Sequence, residues 1–172
     1  MAGIEAVDAL MNVAEIAAAF AGFSALVSVL RDRGSRTETV HNILRLRIVI
    51  STSVLVVTAS LIPSGLMNFG MPDDIVWRLS AVTLLALNYS VIVSFVMSYR
   101  SVHGRFPPDL LAVGVVGVLE LLDQITLIAV ILDVWPSLNY ALYFLALVFN
   151  LCQAAFVFVR FVGSEFAPHT HV

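Results

Sequence analysis

Five stretches of the chain stay apolar for about 20 residues or more, the length that a hydrocarbon core of about 30 Å demands of a spanning helix. They run from about residue 10 to 30, 48 to 69, 75 to 99, 110 to 132 and 137 to 162. The pattern predicts an all-α polytopic membrane protein, a bundle of five transmembrane helices with no soluble domain. Four spans, with the first stretch lying elsewhere, is the alternative. Within the first stretch Ala14, Ala18 and Gly22 form one ladder of small residues and Ala17, Ala21 and Ala25 another, which lets a neighbouring backbone approach closely. Asp8, Asn12 and Glu15 share one helical face, so a polar stripe enters from the N-terminal end and stops at Glu15.

Polar punctuation separates the stretches. Ser35 followed by Glu38 fits a capping box, so the second helix is expected to start near Arg36 and to project its first turns into water before it spans. Pro63 interrupts that span. It is expected to kink the helix as a possible hinge, with Ser60 and Ser64 available for the carbonyl its ring leaves unbonded. Asp73 or Asp74 is placed to cap the third helix. On that helix Ser80, Thr83, Ser90, Ser94 and Ser98 suggest a hydroxyl-lined packing face. The segment 100–108 ends in Pro107 and Pro108, which hold off helix until Asp109, and Asp133 to Pro136 turn the chain into the fifth span. There Asn139, Tyr143, Asn150, Gln153 and Arg160 keep to one face. Residues 163–172 are expected to form a short polar tail on the cytoplasmic side, whose His169 and His171 read as solvated rather than metal-binding.

Composition agrees with the pattern. The 172 residues are 60% hydrophobic and 12% charged, and their mean hydropathy is +0.97, outside the range of soluble domains. The single cysteine, Cys152, excludes an intrachain disulfide and speaks against a cysteine metal site. Acids near the N-terminus, where a leader would carry basic residues, predict no cleaved signal. All nine basic residues are arginines, a usage in keeping with a GC-rich bacterial genome.

The placement of charge sets an expected orientation. Five spans would collect Arg31, Arg33, Arg36, Arg45, Arg47, Arg100, Arg105 and Arg160 on one side and leave only Arg78 on the other. By the positive-inside rule the N-terminus is then outside and the C-terminus cytoplasmic, in a bacterial inner membrane. Trp77 and Trp135 fall at the outer interface. The arginine-rich loop is explained by topology, with anionic lipid or a partner protein as the alternative.

Chemistry is concentrated in the fourth span. Glu120 and Asp123 are three residues apart and share a helical face, with Gln124 beside them. Each carboxyl costs about 2.5 to 3.5 kcal/mol at the centre of a bilayer on insertion scales. At about 1.5 Å per residue, Glu120 lies about 15 Å from the cytoplasmic end, Asp123 about 20 Å and Glu15 about 22 Å. Convergence of the first, fourth and fifth helices would place these acids in one polar pocket with Asn150. Arg78 is the nearest candidate for an ion pair, reaching Glu15. Two carboxyls in one low-dielectric site resist ionising together, so the group is expected to hold a proton or attract a cation. Oxygen-only ligands favour a hard ion such as Na⁺, Mg²⁺ or Ca²⁺.

Other classes find no support. No phosphate loop, nucleophile elbow or HExxH pattern is present, so no enzymatic activity is expected. Without a histidine in any span, haem is not expected, nor any other cofactor. No aromatic-basic platform marks a nucleic-acid binder. The expected function is permeation or sensing of an inorganic cation or protons by a small homo-oligomeric channel or transporter in the lipid bilayer. The rival is a non-transporting scaffold or accessory subunit of a larger membrane complex.

Overall fold

The computed structural model of the chain describes residues 2–30, 36–100 and 110–165. They form five long helices: α1 (Ala2–Leu30), α2 (Arg36–Asn68), α3 (Asp73–Arg100), α4 (Leu110–Ile131) and α5 (Asn139–Glu165), with a short 3₁₀ turn at Pro136–Leu138 before the last. All five contain a segment long and apolar enough to cross a membrane, the segments being Glu5–Val29, Leu46–Asn68, Asp73–Arg100, Leu110–Ile131 and Pro136–Gly163. The helix boundaries therefore follow the hydropathy pattern closely, except that α1 begins well before residue 10 and α2, in keeping with its capping-box spacing, begins at Arg36 rather than near residue 48. The arginine-rich residues 31–35, the segment 101–109 with His103, and the tail histidines His169 and His171 lie outside the described residues, as do the side chains of His41 and Arg45.

Two of the connections are closed by the same backbone device. Gly70 has a positive φ of 74°; its N–H bonds the carbonyl of Met67 and the N–H of Met71 that of Leu66, the Schellman arrangement that consumes orphan carbonyls at a helix end. Asp133 does the same for α4 at a φ of 55°, with its N–H on Val130 and that of Val134 on Ala129. Gly70 reaches that conformation without strain, whereas Asp133 is one of the few side chains that tolerate it.

Helix α5 packs against each of the other four, and α2 against α1, α3 and α5. The core between them is made by Leu10 and Ala17 of α1, Leu55, Val56 and Ala59 of α2, Leu84 of α3, Leu127 of α4 and Leu147 of α5. On α1 the buried stripe is Ala6, Leu10, Val13, Ala14 and Ala17. Neither expected small-residue ladder continues along it, because Ala18, Gly22 and Ala25 face outward. Trp77 also departs from expectation. Instead of meeting an interface it is buried, 5.3 Å from the Tyr140 ring and 5.9 Å from that of Tyr143, while Trp135 is exposed.

The outer surface of the bundle is as apolar as its core, and several polar side chains are buried inside. Phe23, Leu26, Val54, Val93, Met97, Leu121 and Ile125 are exposed, whereas Asn88, Asp123, Asn150 and Gln153 are buried. A soluble monomer rarely presents so many large apolar side chains at its surface. Together with five helices of spanning length, this distribution suggests a membrane location.

Candidate functional site

Asp123 is fully buried, and both of its carboxylate oxygens accept from side-chain amides of neighbouring helices. Asn88 Nδ2 on α3 donates to Oδ2 at 2.6 Å. Asn150 Nδ2 on α5 donates to Oδ1 at 2.9 Å and to the Ala146 carbonyl at 3.1 Å. Counting about 1.5 Å per residue from the ends of α3, α4 and α5, the three side chains lie about 18 to 23 Å deep, so the cluster joins three helices at a similar level.

One turn away, Glu120 repeats the pattern with longer amides. Gln124 Nε2, on its own helix, donates to Oε1 at 3.1 Å, and Gln153 Nε2 of α5 donates to Oε2 at 3.1 Å. Glu120 is half-buried, so the two carboxyls form a short ladder with one buried rung and one rung at the bundle surface. Thr126, a further turn along, closes its hydroxyl onto the Asp123 carbonyl at 2.7 Å. Four amides thus face four carboxylate oxygens. An amide can present either N–H or C=O, so each can serve a carboxylate as donor or a carboxylic acid as acceptor after a half-turn of its plane.

Glu120 and Gln124 share a helical face as their spacing predicts, and Asp123 meets Asn150 of α5, but Glu15 does not join them. It is exposed, because α1 turns its Ala6–Ala17 stripe toward α2 and α5 and Glu15 lies off that stripe. The third helix of the cluster is α3, through Asn88. Its signal in the sequence is an amide in mid-span at the depth of Asp123, set among serines that draw the eye first. Gln153 lies on the predicted polar face of α5 and supplies the second cross-helix contact.

Arg78 has a different partner from the one expected. Its guanidinium pairs with Asp133, to whose second oxygen Asn139 Nδ2 donates at 2.7 Å. The Asn139 amide first, and the Arg78 guanidinium after it, hold the Asp133 carboxyl below the usual carboxylate range. The pair fastens α3 to the turn between α4 and α5, at the opposite end of the bundle from Arg47. Pro63 lies within an α2 that runs unbroken from Arg36 to Asn68. The carbonyl four residues before it, that of Ala59, accepts from Tyr143 Oη at 2.8 Å. Ser60 and Ser64, expected in that role, have buried hydroxyls without a hydrogen-bond partner.

Comparison of the chain with protein-family models, with curated proteins and with solved structures finds no match in any of the three.

Proposed function

We propose that the chain is a small integral membrane protein that permeates or senses protons through the carboxyl–amide ladder of Glu120 and Asp123, with Gln124, Asn150, Asn88 and Gln153 in support. The observation that carries this reading is a titratable group, Asp123, fully buried at mid-span between amides of two other helices, where asparagine or serine would join helices at lower cost. A second carboxyl one turn away gives a released proton an acceptor. Protons suit the set better than a metal ion. Among the described residues no three His, Cys, Asp or Glu side chains gather, and the N–H groups facing each oxygen repel a cation.

Further support comes from polar atoms near the opposite end of α2, α3 and α5. Ser60, Ser64 and Ser80 hydroxyls, Arg78 Nε and Asn139 Oδ1 are buried without a partner, all within about 12 Å of that end along their helices. Such groups are the ones that internal water serves. By the positive-inside rule this end is outside, the N-terminus with it, and the arginine-rich end is cytoplasmic. A homo-oligomer is part of the reading, since five helices enclose little room for a route.

Proton flux into liposomes carrying the purified protein, read by an entrapped pH dye under an imposed gradient, tests the proposal. Wild type should conduct; Glu120→Gln and Asp123→Asn should not, while still folding. Vesicles as tight as empty ones, or variants that conduct normally, would end it. The second reading is a non-transporting membrane subunit. It is favoured by the fact that all four carboxylate oxygens already have partners within the chain.

A further inference from the structure

At the end of the bundle away from Asp133, a cleft of about 210 Å³ opens between α2 and α3. Arg47 and Ser51 lie on its α2 wall and Ser90, Ser94, Phe95 and Ser98 on its α3 wall. The Arg47 guanidinium is held across it, Nη1 donating to Ser98 Oγ at 3.0 Å and Nη2 to Ser94 Oγ at 2.9 Å. Ser98 passes its own proton to the Ser94 carbonyl at 2.8 Å, and Ser90 passes its proton to the Leu87 carbonyl at 2.7 Å. These two hydroxyls are therefore committed, and Ser98 serves to orient the cation. A guanidinium has five N–H donors in a fixed fork, of which two are used here. Among the described residues Arg47 meets no carboxylate, its partners being the Ser94 and Ser98 hydroxyls.

We infer that this cleft binds the phosphate of an anionic phospholipid. A pinned guanidinium with spare donors matches phosphate oxygens in charge and in bidentate geometry. The position selects a lipid over a free anion. Arg47 is the second residue of the Leu46–Asn68 spanning segment and Ser98 lies two residues from the end of Asp73–Arg100, the level of headgroups. Val54 and Val93 of the same two helices are exposed farther into the span, where an acyl chain would lie. The inference rests on the membrane-spanning part of the proposed function and not on proton transfer.

The full chain, delipidated in detergent, is titrated with short-chain phosphatidylglycerol, short-chain phosphatidylcholine and inorganic phosphate, with bound lipid read by native mass spectrometry and stability by thermal unfolding. Phosphatidylglycerol should bind and raise the unfolding temperature. Phosphatidylcholine and phosphate should do neither. Arg47→Gln should weaken phosphatidylglycerol binding about five- to tenfold, in line with one interfacial cation, and Ser94→Ala should weaken it less. Equal binding by wild type and Arg47→Gln overturns the inference. Phosphate binding as well as the lipid overturns the choice of ligand. Alkaline extraction from phosphatidylcholine vesicles separates the two claims: a protein that resists extraction but lacks phosphatidylglycerol preference fails only here, whereas one that is extracted fails as a membrane-spanning chain.

Discussion

The hydroxyl of Tyr143 donates to the carbonyl of Ala59 at 2.8 Å, the acceptor that Pro63, four residues on, leaves without its helical N–H. Both Tyr143 and Ala59 are fully buried, so a proline on α2 and a tyrosine on α5 are linked by a group that neither owns. Tyr143→Phe should cost about 1 to 2 kcal/mol, the range for orphaning a buried acceptor. Pro63→Ala restores the backbone donor, so Tyr143→Phe should be nearly neutral in that background. Equilibrium unfolding of the four proteins in the cycle measures the coupling, and strictly additive costs would refute the link.

The Asp123 cluster should respond to partial and complete removal in opposite ways. Asn88→Leu or Asn150→Leu leaves one carboxylate oxygen buried without a donor and should destabilise by about 1 to 3 kcal/mol. Asp123→Leu combined with both amide replacements removes every unpaired group, and should cost less than the sum of the singles. Unfolding free energies that simply add would show that the three side chains do not act as a unit.

Glu15→Gln separates the three-helix site from the one expected from depth alone. Glu15 is exposed on α1, so the substitution should leave proton flux and stability unchanged, while Glu120→Gln abolishes flux. Loss of flux in Glu15→Gln would place that residue on the route and refute the assignment to α3, α4 and α5.

Asp133 should carry a pH dependence of its own. Its carboxyl is held below the usual range, by Asn139 first and Arg78 next. A depressed folded value means that the contribution is present above the unfolded value of about 3.9 and is lost as pH falls through the folded one. Protection of the amides in residues 131–138, taken relative to their intrinsic exchange rates, should therefore fall below about pH 4, and Asp133→Asn should remove that dependence. The backbone sets a second order. At a φ of 55°, Asp133→Gly should be less damaging than Asp133→Ala, since both lose the side-chain contacts but glycine alone accepts the conformation freely. Reversal of that order in thermal unfolding would contradict the turn geometry.

The helices were legible because spanning length and turn residues are properties of short stretches. Gly70 announces the end of α2, and the capping-box spacing predicts the start of α2 at Arg36. The pairing of helices is a property of the whole chain, and here local pattern misleads. Glu15 lies at the depth of Asp123, yet depth says nothing about azimuth, and α1 presents a different stripe. Arg78 has a nearer acid in Asp133 once the turn after α4 folds back. Asn88 could be found only by asking which amide in another span shares the level of Asp123. The carbonyl freed by Pro63 found a hydroxyl 84 positions away, a separation no local rule reaches. The α3 serines likewise divide their duties: Ser80 is buried, while Ser94 and Ser98 hold Arg47.

The helix that touches all the others, α5, is also the last of the five that a ribosome delivers. Until it arrives, the first four leave Asp123 with one amide instead of two and the Ala59 oxygen without its hydroxyl donor. The half-made bundle is thus its own least stable form, and arrival of the final helix is the event that locks the earlier ones into place.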